Sequence, residues 1–122
     1  MNLSIGVDLI EIERIRLAVE RHGNRFVNRI FTKGEQLACG GNAASLAARF
    51  AAKEAAAKAL RCGIGEVGWG EIEIAGDENR APYLMLHGIA KKRSQELGLH
   101  QWSVSLSHTH EHALAFVVAM GG

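Results

Sequence analysis

The sequence predicts an α+β fold, with strands and a hairpin arranged around one long helix and shorter helices beside it. Three observations predict it. The stretch from Ala43 to Leu60 is built of strong helix formers, chiefly alanine, and neither proline nor glycine interrupts it. Leu3 to Leu9 and Trp102 to Ser107 alternate apolar and polar residues, as half-buried strands do. Ala113 to Met120 is a near-continuous apolar run of strand length, suited to a central position in a sheet.

Composition sets the limits. A chain of 122 residues, 48% hydrophobic and 22% charged, is expected to form one domain over residues 1–122, with a genuine core. No apolar stretch approaches the roughly 18 residues of a membrane span. Met1-Asn2-Leu3-Ser4 lacks the basic and apolar regions of a secretory signal, so a cytoplasmic location is expected and no membrane partner. A net charge of +1 argues against nucleic-acid binding through bulk electrostatics. Cys39 and Cys62 have no zinc-like spacing and are expected as free thiols.

Each element follows from local pattern. In the first strand Leu3, Ile5, Val7 and Leu9 share one face, and Ser4, Gly6 and Asp8 the other. Gly6 weakens a strand interior unless something must approach its backbone. Asp8, rare in strands, suits two tasks equally: capping the next helix or holding a ligand. An amphipathic helix is expected from Ile10 to His22, stopped by Gly23. Phe26, Val27, Ile30 and Phe31 form an apolar cluster on a short helical turn. Thr32 and Glu35 spell a capping box for a short helix to Cys39. Asn42 caps the central helix, and Gly63, Gly65 and Gly68 make a loop after it. Strands at Glu71–Ala75 and Tyr83–His87, joined through a polar turn and Pro82, make a hairpin. A helix from Ile89 to Leu97 should turn Lys91, Lys92 and Arg93 to solvent. His108-Thr109-His110-Glu111-His112 forms the last turn, and without further ligands nearby it is not read as a zinc site.

The charged residues of the central helix carry the functional question. Glu54 and Lys58 are one turn apart on one face. They suit either a solvated ion pair, stabilising by about 0.2–0.5 kcal/mol, or a carboxylate and an ammonium presented together to a metal–phosphate group. Arg14 and Arg21 lie two turns apart on one face of the preceding helix. That stripe is either a wet face or a dock for an acidic partner.

Several separate stretches together resemble a known family. Gly6-Val7-Asp8-Leu9-Ile10-Glu11-Ile12-Glu13-Arg14 is similar to the opening motif of the holo-acyl-carrier-protein synthases, a branch of the 4′-phosphopantetheinyl transferase superfamily. Arg49-Phe50-Ala51-Ala52-Lys53-Glu54 through Lys58 resembles their second signature. Phe31-Thr32 with Glu35, Trp69 to Ile74, Pro82, and Ser105-Leu106-Ser107-His108 fall in the family's order, so the resemblance spans essentially the whole chain. It implies the phosphopantetheinyl transferase fold, an antiparallel-rich sheet wrapped around a long central helix with flanking short helices.

The resemblance also implies a chemistry. Such enzymes move the 4′-phosphopantetheine arm of coenzyme A onto a serine of apo-acyl carrier protein and release adenosine 3′,5′-bisphosphate. Asp8, Glu54 and Lys58 match the catalytic residues: Asp8 and Glu54 as ligands of Mg2+, Lys58 as the phosphate-contacting lysine. Arg49, Lys58, Gly63, Pro82 and His108 match the coenzyme A site, and Arg14 and Arg21 the carrier-docking helix. Asp8, Glu54 and a metal-bound water are the candidates for the base that takes the serine proton. Members of this short branch are typically homotrimers with active sites between subunits. One departure stands out, Arg61-Cys62-Gly63 where many relatives carry Gly-Thr-Gly. Two other readings stand beside the transferase: a non-catalytic module of the same fold that binds coenzyme A or the carrier, and a basic docking domain acting through Arg14 and Arg21.

Overall fold

The computed structural model describes residues 2–122, and Met1, the first residue of the stretch that lacks a secretory-signal pattern, lies outside them. The chain runs β1 (Asn2–Glu11), α1 (Ile12–His22), α2 (Asn24–Ile30), α3 (Lys33–Cys39) and α4 (Ala43–Ala59). A 3-10 turn at Trp69–Glu71 then leads to β2 (Ile72–Gly76), β3 (Pro82–Leu86), α5 (Gly88–Glu96), β4 (Gln101–His108) and β5 (His112–Gly121). β5 is the centre of a three-stranded antiparallel sheet, ordered β1-β5-β4, and β2 and β3 form a separate hairpin. Among the described residues no helix is long and apolar enough to cross a membrane.

Helix α4 is the axis of the fold. The Asn42 side chain accepts from the Ser45 amide and caps it, as the sequence indicates. Eight of its alanines, Ala47, Ala48, Ala51, Ala52, Ala55, Ala56, Ala57 and Ala59, are buried, so the helix is enclosed on most sides. Its smooth surface lets β1 come close. A Cβ built on Gly6 would overlap the Ala55 carbonyl, which explains a glycine in the middle of a long strand. The Ser4 hydroxyl donates to the Ala59 carbonyl at 2.6 Å and ties the same strand to the helix end.

That approach overturns one expectation about β1. In the single chain the polar side of the strand, Ser4, Gly6 and Asp8, faces α4. The apolar side faces outward, with Leu3 and Ile5 each 59% exposed, Val7 47% and Leu9 62%. Register explains it: Leu3, Ile5, Val7 and Leu9 lie opposite Met120, Val118, Phe116 and Leu114, so one apolar row extends across two strands. The opposite row, Ala113, Ala115, Val117 and Ala119, is fully buried against the helix. Alternation correctly marked two faces but not which of them the chain itself would cover.

Other boundaries shift with identifiable causes. β1 continues to Glu11 because β5 offers a partner at every residue, down to Glu11 opposite His112, so α1 starts at Ile12 and not Ile10. Asp8 therefore lies three residues short of the α1 N-cap, Glu11, and does not cap the helix. The Thr32–Glu35 capping box forms as read. Phe26 and Phe31 meet edge to face, with ring centroids 6.4 Å apart. In α5, Lys91 and Lys92 are exposed, but Arg93 turns inward and donates to the Leu60 and Arg61 carbonyls at 2.7 and 3.0 Å. It satisfies carbonyls at the α4 C-terminus, where a cation is favoured.

Gly6→Ala should destabilise the protein by about 2–3 kcal/mol, because the added methyl must push β1 off the helix backbone. Urea unfolding checks this. A near-neutral result would show that the contact is loose.

Candidate functional site

Asp8, from the centre of β1, and Glu54 and Lys58, from α4, form one cluster. Gly6, Asp8 and Ile10 point toward the helix, so the close packing at Gly6 carries Asp8 to it as well. Lys58 Nζ donates to the Val7 carbonyl at 2.9 Å and lies 3.3 Å from Asp8 Oδ1. The lysine thus bonds across to the strand, and the simple ion pair between Glu54 and Lys58 is not what forms. Burial raises the pKa of Glu54, and the neighbouring charge of Asp8 raises it further. Lys58 and Arg14 act in the opposite direction. Two carboxylates near enough to disfavour each other's charge, one of them half-buried, are a place where a cation relieves a cost. Oxygen donors of this kind suit Mg2+, which takes one or two carboxylates and completes its shell with water and substrate phosphate. No group of three or more metal-binding side chains occurs among the described residues.

A second cluster lies elsewhere on the same helix. Arg49 is five residues before Glu54, which places it about 140° around the helix and about 7.5 Å along it. With Pro82, Arg80, Ala75, Gly76 and the β4 segment Val104–Leu106, it lines a pocket of about 340 Å3. Arg49 Nε is buried without a hydrogen-bond partner, on a side chain that lies against the Cys39 thiol. A guanidinium at a pocket wall suits an anion. Arg49 and Pro82, read separately from the sequence, are thus brought together. His108 stands two residues beyond Leu106 on the same strand, exposed, with Nδ1 3.3 Å from the Thr109 carbonyl. Gly63 lies in the exposed loop after α4, with open space around its α-carbon.

Arg61 and Gly63 show how this loop differs from the Gly-Thr-Gly pattern. Arg61 is exposed and adopts φ +59°, a left-handed conformation that glycine enters at no steric cost. Its carbonyl accepts from Arg93 at 3.0 Å.

Beneath Arg49, one turn on, is a pair that the sequence did not mark. Lys53 is fully buried, with Nζ 2.8 Å from Glu35 Oε1 and donating to the Trp69 and Ile72 carbonyls at 2.9 and 2.6 Å. Glu35 also accepts from the Thr32 and Ile74 amides, at 2.8 and 2.9 Å. One buried pair therefore joins α3, α4, the 3-10 turn and β2. Burial lowers the pKa of Lys53, partly offset by Glu35. The motif's lysine looked like one more charge on the helix, and its spacing of four from Arg49 was the available signal that both share a face.

Arg14 and Arg21 are both exposed on α1. Around the corner on α2, Arg25 and Arg29 line a hollow of about 310 Å3 with His22 and Phe26, so the basic stripe continues past the helix break.

The comparisons with known proteins show the family. A family model described as the 4′-phosphopantetheinyl transferase superfamily matches residues 4–117. A holo-[acyl-carrier-protein] synthase from Herpetosiphon aurantiacus is 55% identical over 126 aligned positions, covering 98% of this chain and 99% of that protein. The crystal structure of the Helicobacter pylori holo-[acyl-carrier-protein] synthase in complex with coenzyme A superposes with a TM-score of 0.87. It is 33% identical, over 95% of this chain and 99% of that one. The Neisseria meningitidis enzyme superposes at 0.85 with 38% identity, over 96% and 97% of the two chains. The chain belongs to the 4′-phosphopantetheinyl transferase superfamily, and within it to the holo-[acyl-carrier-protein] synthases. The fold is that family's, as the resemblance implied.

Removing one partner of the buried pair should be costly. Lys53→Met or Glu35→Gln alone should destabilise by about 3–5 kcal/mol, while the double variant should lose less than the sum. A double-mutant cycle by urea unfolding measures this, and strict additivity would show that the pair is not coupled.

Proposed function

We propose that this chain transfers the 4′-phosphopantetheine arm of coenzyme A to a serine hydroxyl of apo-acyl carrier protein and releases adenosine 3′,5′-bisphosphate. The observation that carries the reading is the meeting of Asp8, Glu54 and Lys58, from two remote segments, on a helix that also turns Arg49 to a separate pocket. The serine oxygen forms a bond to the phosphorus that bears pantetheine as its proton passes to a base, for which Asp8, Glu54 and a metal-bound water are the candidates, and the phosphoanhydride bond breaks. Negative charge then rises on the departing nucleotide phosphate. In this reading Lys58 releases Asp8 to contact that phosphate, and Arg49 holds the nucleotide end. Mg2+ bound by Asp8 and Glu54 would neutralise charge on the diphosphate. Arg14 and Arg21 supply the positive face for an acidic carrier, and Arg25 and Arg29 extend it. A cytoplasmic location and service to fatty-acid biosynthesis go with this reading.

The two clusters lie about 140° apart on one helix, so a substrate held by both within one chain would have to wrap around α4. The outward apolar face of β1 and β5 supports the other solution, self-association into a homotrimer with each active site completed across a subunit contact. One subunit would then supply Asp8, Glu54 and Lys58, and its neighbour Arg49, Pro82 and His108.

Four experiments test this. Incubation with coenzyme A, Mg2+ and an apo carrier protein should add one phosphopantetheine mass to the carrier. Asp8→Asn or Glu54→Gln should lower kcat by about 100-fold or more while the apo protein stays folded. Equal activity in wild type and Asp8→Asn, or none in either with several carriers, would favour a non-catalytic binding module. Charge reversal at Arg14 and Arg21 should weaken carrier binding and leave coenzyme A binding unchanged. Mixing inactive Asp8→Ala and Arg49→Ala chains after co-refolding should restore part of the activity, because some contacts in mixed assemblies then carry both intact clusters. No recovery would count against sites shared between subunits.

A further inference from the structure

Arg61-Cys62-Gly63 follows the helix that carries Lys58, and the way that helix ends is fully determined. An α-helix leaves its last four carbonyls without intrahelical donors. In α4 these belong to Ala57, Lys58, Ala59 and Leu60, and each has a partner. The Cys62 amide donates to the Ala57 carbonyl at 3.1 Å, and the Arg61 amide to the Lys58 carbonyl at 2.9 Å. Together these bonds form a Schellman closure, which needs a left-handed residue just past the helix and usually takes glycine there. Here that residue is Arg61, at φ +59°, so the closure carries a strain that glycine would not.

Donors from outside the helix hold the strained end in place. The Ser4 hydroxyl donates to the Ala59 carbonyl at 2.6 Å. Arg93, half-buried on α5, supplies the rest: Nε donates to the Leu60 carbonyl at 2.7 Å and a terminal nitrogen to the Arg61 carbonyl at 3.0 Å. One planar fork thus grips successive carbonyls at the reversal, and neither bond is spent on a carboxylate. Leu60 is fully buried, so removing this donor leaves its carbonyl short of a partner. Lys58 belongs to the same last turn. Its carbonyl is part of the closure, while its Nζ reaches the Val7 carbonyl at 2.9 Å and Asp8 Oδ1 at 3.3 Å. A last turn free to fray would carry that ammonium away from the carboxylates.

We propose that Arg93 is a positioning residue for the transfer reaction: by holding the Leu60 and Arg61 carbonyls it fixes the last turn of α4 and, through it, the Lys58 ammonium. The inference rests on the proposed function for the task of Lys58 and goes beyond it in naming the residue that sets its place. It also accounts for Arg61, because a reversal clamped from α5 tolerates a residue other than glycine.

Arg93→Met removes the donors and keeps an apolar stem, and Arg61→Gly relieves the strain, so the pair tests the claim. In steady-state assays with Mg2+ and an apo carrier protein, Arg93→Met should lower kcat about tenfold and keep KM for coenzyme A within about twofold of wild type. Adding Arg61→Gly should restore most of the loss, because glycine closes the helix without a clamp. In a Lys58→Ala background Arg93→Met should cost no further activity, since the group it positions is gone. Arg93→Lys, a milder change that keeps the charge but not the fork, should give a smaller loss than Arg93→Met. Amide hydrogen exchange reads the clamp without coenzyme A or a carrier, so it separates this claim from the transfer reaction. The Arg61 and Cys62 amides should exchange about tenfold faster in Arg93→Met, and near the wild-type rate once Arg61→Gly is added. Unchanged exchange, an unchanged kcat, no rescue by Arg61→Gly, or an equal loss with and without Lys58 would overturn the assignment.

Discussion

The contact between the Gly6 backbone and the Ala55 carbonyl is the constraint on which the remainder depends. It sets the distance between β1 and α4, and that distance decides whether an aspartate two residues along the strand meets a glutamate and a lysine on the helix. A larger residue on either side would separate the two elements, and the carboxylates would become ordinary exposed acids. The Ser4 bond to the Ala59 carbonyl and the Lys58 bond to the Val7 carbonyl fix the sliding register of the same pair. Packing comes first here, and the electrostatics of Glu54 follow from it.

The other side of α4 is held by different physics. There the helix meets α3 and β2 through a charged pair taken wholly out of water, with its polar atoms bonded to main chain. Such a pair is weak evidence for added stability, but it tolerates little displacement, because each misplaced group would be a buried charge without a partner. Arg49 lies one turn before Lys53, so its position is set by the same anchor. The helix is therefore smooth and close-packed where it meets the sheet, and pinned by directional bonds where it meets the hairpin.

Much of this was legible in the residues. The capping box at Thr32 and Glu35, the Asn42 cap, the hairpin before and after Pro82 and the central apolar strand all have short-range causes, and short-range causes can be read along a chain. Gly6 was also a fair signal, since a glycine inside a strand asks for a close neighbour. The orientation of β1 was not legible, because alternation reports two faces and is silent about which one the same chain covers. Lys53 and Glu35 were missed for a related reason: they are eighteen residues apart, and neither type suggests burial. Asp8, Glu54 and Lys58 were recognised through motif order, and the strand-to-helix approach gives that order its physical meaning.

The alanine composition of α4 has a further consequence, for how this sequence can drift. Alanine is already the smallest residue that favours a helix, so at the enclosed positions every exchange either adds volume or, with glycine, loosens the helix. The interior has no spare room in either direction, and compensating changes nearby cannot easily create it, because the partner on the β1 side is a glycine and on β5 again alanine. Variation among descendants of this chain should therefore gather in the β2–β3 turn and the outer faces of α2 and α5, while the axis stays nearly frozen.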